Sequence, residues 1–83
     1  MIHKIYSVFD SKSESYTPPF FQHTEAMAIR TFADACNDKQ HTFGMHPDDY
    51  TLFELGTWDD TTGTITQDKI TSIGNGLIYQ EQK

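Results

Sequence analysis

The stretch TEAMAIRTFADACND, residues 24–38, most constrains what this chain can fold into. Ala26, Ile29, Phe32, Ala33 and Cys36 recur at helical spacing as one apolar stripe, while Met27, Arg30, Thr31 and Asp34 point away from it. Thr24 is a suitable N-cap, and Glu25 in the first turn complements the helix dipole. Asn37 and Asp38 close the helix, with Lys39 near its negative end. This is the one obvious helix, so its stripe must be buried against strands.

Strand signals lie on both sides of it. KIYSVFD (4–10) puts Ile5 and Phe9 on one face and Tyr6 and Val8 on the other, as an internal strand covered on both sides would. SKSES (11–15) reads as a loop, and Tyr16-Thr17-Pro18-Pro19 is extended by proline geometry. After a connector at 39–49, YTLFELGTW (50–58) reads as a strand and DDTTG (59–63) as a hairpin turn ending on Gly63. The threonine-rich return through Ile65 reads as a short edge strand. KITSIGNGLIYQEQK is ambiguous: Ile70 and Ile73 could pack down, Gly74-Asn75-Gly76 makes a turn, and Leu77-Ile78-Tyr79 could add a short strand before a polar tail. The order predicts an α+β fold: a small β-α-β-β domain with one amphipathic helix on a mostly antiparallel sheet of three or four strands. One domain spans 1–83, with a flexible tail from about residue 80.

A chain of 83 residues buries a modest core and gains from outside support. Cys36 is its sole cysteine, so there is no intrachain disulfide, which fits a reducing cytosol. No zinc-type Cys/His cluster is present, leaving homo-oligomerisation as the expected support. No apolar run is long enough for a signal peptide or a membrane span, so a membrane partner is not expected. Six basic residues against twelve acidic ones give a formal charge of −6, the wrong sign for simple phosphate-backbone binding. Asp48-Asp49 and Asp59-Asp60 read as solvated turns.

Candidate chemistry is sparse. Cys36 sits on the apolar stripe, where a cysteine acts as a small buried hydrophobe rather than a nucleophile. No nucleophile elbow, P-loop or dinucleotide glycine pattern occurs. His41, His46, Asp48 and Asp49 have metal-ligand chemistry but form no closed ligand set. His3 and His23 have no visible partners. No catalytic residue, metal or cofactor is expected. The aromatic load is the remaining signal: six Phe, four Tyr and one Trp. Phe9, Phe32 and Phe53 are assigned to the core, whereas Tyr16, Phe20, Phe21 and Trp58 are harder to place. One of the adjacent Phe20 and Phe21 can close the helix start against the sheet while the other points elsewhere. Exposed aromatics near Arg30 could stack unpaired bases or form a protein interface. The missing basic footprint favours core or interface use over stacking. Tyr16, Phe20, Phe21, Arg30 and Trp58 are the candidate nucleic-acid or partner-binding residues.

The ordered pieces resemble a known family. Asp10-Ser11-Lys12 ends a strand, Pro19-Phe20-Phe21 precedes a helix carrying Ala26, Arg30 and Phe32, and Asn37-Asp38 follows. Then comes the hairpin segment PDDYTLFELGTWDDTTG, residues 47–63. Over about residues 4–66 this resembles the small nonstructural protein of gokushovirus-type microviruses, tailless icosahedral bacteriophages with single-stranded DNA genomes. The resemblance implies a noncatalytic protein of the host bacterial cytoplasm, absent from the virion. It would act in genome replication or in the switch to single-strand synthesis with packaging. Its implied partner is single-stranded DNA or a phage or host replication protein. The alternative is a protein-protein adaptor or inhibitor of a host factor that never touches nucleic acid. The resemblance carries over no binding residues.

Overall fold

The computed structural model describes residues 1–67 and 69–80. In chain order it contains strands β1 (Ile2–Asp10), β2 (Ser15–Tyr16) and β3 (Phe20–Gln22), then helix α1 (Glu25–Cys36). A short helix α2 (Thr42–Met45) and a 3-10 turn (Pro47–Asp49) follow. Strands β4 (Tyr50–Asp59), β5 (Thr64–Thr66) and β6 (Thr71–Asn75) lead to a short helix α3 (Gly76–Tyr79).

The six strands form one sheet in which every pairing is antiparallel. It is only four positions wide. β1 and β4 run side by side from Ile2 opposite Asp59 to Asp10 opposite Tyr50, with a bulge that leaves Leu55 unpaired. The outer edge of β1 is shared by β2 and β3, and the outer edge of β4 by β5 and β6. The expected three or four strands therefore become six, because two split strands fill the outer positions. Pro18-Pro19 cause one split. Thr17 N–H still bonds to Val8 O at 2.8 Å, but the prolines have no N–H, and pairing resumes only at Phe20. The apolar pattern of β1 on both faces follows from its inner position.

Helix α1 starts where its cap chemistry says it should, with the Thr24 hydroxyl accepting from Met27 N–H at 3.2 Å. Its buried line differs from the expected stripe. Ala28, Phe32 and Cys36 are buried with Ile29 partly so, whereas Ala26 is exposed. The contact follows an i, i+4 ridge rather than the full stripe. This line packs on Tyr6, Val8, Tyr50 and Leu52 of the sheet. Phe43 of α2 lies 5.7 Å from the Phe32 ring and 4.4 Å from Tyr50, and Tyr79 of α3 lies 6.0 Å from Phe32. All three helices thus cover the same face of the sheet.

The β4–β5 hairpin turns as expected, with Gly63 at φ +76° donating to Asp59 O at 2.7 Å. The C-terminal segment does not follow the expectation. Gly74 and Asn75 belong to β6, and Leu77-Ile78-Tyr79 are helical rather than a strand. Asn75 is the reason: its side chain accepts from Leu77 N–H at 3.0 Å and donates to Asp48 O at 3.0 Å, capping a helix turn. Ile73 packs against the core as expected, while Ile70 stays 44% exposed. Gln80 is held by donating to Cys36 O at 3.0 Å and Gly44 O at 3.1 Å. The tail expected beyond it lies outside the described residues.

Candidate functional site

Strand alternation sends every second side chain to the face that none of the described helices covers. On β1 these are His3, Ile5, Ser7 and Phe9, and on β4 Thr51, Phe53, Gly56 and Trp58. The flanking strands add Tyr16 opposite Phe9, Phe21 opposite Ile5, and Ile65 opposite Trp58. Two aromatic clusters result. Phe9, Tyr16 and Phe53 form one, with ring centroids 5.0, 5.6 and 6.3 Å apart. In the other, Phe21 lies 5.5 Å from Trp58, which lies 5.0 Å from His3, and His3 lies 4.6 Å from His23. His3 and Phe9 are six residues apart on β1, so the face runs for roughly 20 Å. Between the clusters Ser7 is buried and donates to Thr17 O at 2.6 Å.

Beside Phe21 the face opens into an apolar cleft of about 260 Å³, lined by Ile5, Pro19, Phe21, Leu55 and Ile65 among others. Gly56 forms part of its wall, and a Cβ there would collide with the Thr66 carbonyl oxygen. The strand positions on this face carry no Lys, Arg, Asp or Glu. Lys4 and Glu54 pair on the helix-covered side at 3.7 Å.

A model of the family described as Phage ORF5 protein matches residues 3–78. The chain belongs to this family of phage proteins. No curated protein and no solved structure gives a significant match. The family match extends past residue 66, near which the sequence resemblance ended, and takes in β6 and most of α3.

Within this phage-family chain, the open face unites three of the five candidate residues. Tyr16 and Phe21 are 43% and 46% exposed, and Trp58 is half-buried between Phe21 and His3. Phe20 points the other way: it packs on the core with its ring 5.9 Å from Tyr6. Arg30 is exposed on the outer side of α1, away from the open face. Phe9 and Phe53, assigned to the core by sequence, are half-buried members of the open face instead. Strand alternation alone could have found them, since Phe9 and Val8 must point opposite ways. The His3–His23 pairing had no sequence signal because it joins β1 to the segment after β3 across the sheet.

At the end of this face Asp60 accepts from the Met1 amino group at 2.7 Å and bonds His3 Nε2 at 2.8 Å. The Met1 ammonium, then His3, hold the Asp60 carboxyl down to about 2. The same bond raises the Met1 amino group above its ordinary value. Elsewhere, Cys36 is fully buried and burial pushes its thiol up to about 11. His41 Nδ1 accepts from Phe43 N–H at 3.0 Å, capping α2. Among the described residues no three His, Cys, Asp or Glu side chains converge as metal ligands, and no helix is long and apolar enough to cross a membrane.

Proposed function

We propose that this protein is a noncatalytic accessory factor of a gokushovirus-type, single-stranded DNA phage, acting in genome replication or the switch to packaging. Its working surface is the open sheet face, and its ligand is single-stranded DNA. One observation carries the reading: Tyr16, Phe21 and Trp58 lie on a single face that none of the described helices covers, in two aromatic clusters along β1. Aromatic rings on a sheet are platforms for unpaired bases, each stacked base contributing about 1–3 kcal/mol. The host cytoplasm as the place of action follows from the same family resemblance.

The sole tryptophan lies in the site, so its fluorescence reports binding directly. Titration with a labelled single-stranded oligonucleotide should raise anisotropy, quench Trp58 and weaken with salt. Tyr16→Ala and Phe21→Ala should weaken binding, while Arg30→Ala, on the far side, should leave affinity and salt slope unchanged. No anisotropy change and no quenching at low salt, with the protein folded, refutes DNA as the ligand.

The lack of Lys, Arg, Asp and Glu at the described strand positions of the face supports a second reading, a protein partner such as a second copy of this chain. Interface centres are depleted in charge and enriched in aromatics. Sedimentation that shows self-association abolished by Phe21→Asp, with no DNA binding, would select it.

A further inference from the structure

A stacking platform on a chain of charge −6 needs a local source of positive charge, and the strand positions on the open face supply no lysine or arginine, since Lys4 of β1 lies on the helix-covered side. We infer that His3 and His23 form a phosphate subsite at the Trp58 end of that face, engaged when the imidazoles are protonated. The inference rests on the single-stranded DNA reading and assigns where the backbone of that strand is held.

The two imidazole rings lie 4.6 Å apart, and His3 also lies 5.0 Å from Trp58. A base stacked on Trp58 or Phe21 would therefore place its own or a neighbouring phosphate within reach of both histidines. His23 is exposed, and it follows directly on β3, so its ring is open to an approaching anion. His3 is tied down by Asp60 at 2.8 Å, a carboxylate that suits an imidazolium. Among the described residues the charged neighbours are few. Asp60 and Asp59 lie 2.7 and 3.9 Å from the Met1 ammonium. Lys4 and Glu54 pair on the opposite face, and Glu25 at the start of α1 acts on Tyr6 there. With neutral imidazoles the two aspartates outweigh the one ammonium, and the corner is negative. With both imidazoles charged, three cations outweigh two anions and the corner turns positive.

The test measures the affinity of an oligothymidylate at constant ionic strength from about pH 7.5 to about 5.5, across the range in which histidines titrate. Wild type should bind about two- to fivefold more tightly at the acid end, the size of one solvent-exposed ion pair. The salt slope should steepen by about one, for one added phosphate contact. His23→Gln, at an exposed position, should flatten both effects. Phe21→Ala should weaken binding at every pH while keeping the pH dependence. Binding independent of pH in wild type, or a pH dependence that survives in the His3→Gln/His23→Gln double variant, overturns the phosphate subsite and leaves the stacking reading standing. No binding at any pH overturns both.

Discussion

The adjacent phenylalanines offer a sharp test, because the sheet sends them to opposite faces. Phe20 packs on the core beside Tyr6, whereas Phe21 is 46% exposed beside Trp58. Truncating a fully buried phenylalanine costs about 3–5 kcal/mol, so Phe20→Ala, at a partly buried ring, is expected near the lower end at about 3. Phe21 has about half of its surface in water already, so Phe21→Ala should cost roughly 1.5–2 kcal/mol. A domain of this length holds about 4–12 kcal/mol in all, so the second variant stays folded and the first approaches its limit. Binding should respond in the reverse order. Loss of one stacked ring removes about 1–3 kcal/mol, or about 5- to 150-fold in affinity for single-stranded DNA. Urea melts followed by far-ultraviolet circular dichroism give the stabilities, and oligonucleotide anisotropy on the folded fraction gives the affinities. Equal affinity for Phe21→Ala and wild type would refute the assignment of the open face as a stacking surface. A larger stability loss for Phe21→Ala than for Phe20→Ala would refute the division of the two faces.

Other consequences are independent of the ligand. Gly56→Ala drives a Cβ into the Thr66 carbonyl and should destabilise by about 1–3 kcal/mol, lowering Tm by about 4–8 °C per kcal/mol. An unchanged Tm would mean that β5 does not approach β4 so closely. Asp60 has a depressed folded-state pKa of about 2. The stability it contributes is therefore present above the ordinary aspartate value near 3.9 and is lost as pH falls towards 2. Acid titration of stability should show a smaller loss over that window in Asp60→Asn, and an identical profile would contradict the Met1–Asp60–His3 network. Cys36, buried with its thiol at about 11, should resist an aromatic disulfide reagent in native protein and react at the rate of unfolding. Rapid native labelling would place it at the surface.

Local chemistry was enough for much of this fold. Thr24 and the apolar spacing after it locate α1, and alternation locates β1 and β4. The turn ending on Gly63 locates the hairpin. Each signal is written within a dozen residues, so the chain carries it without help from distant contacts. The same holds for Cys36 as buried filler on the helix and for the doubt attached to Tyr16, Phe20, Phe21 and Trp58, aromatics with no evident place in a core, of which only Phe20 packs on it.

What only the tertiary structure decided is non-local. The split outer strands depend on which residues of β1 and β4 lie opposite them, and α3 depends on an asparagine that also reaches Asp48 O across the fold. The site is of this kind as well. Phe9, Tyr16 and Phe53 meet only because three strands are in register, and so do His3, Phe21 and Trp58. Composition put aromatics in this chain, and the period of two along a strand allowed each of them either face. Choosing the face required knowing that all three described helices pack on one side, which leaves the other side open.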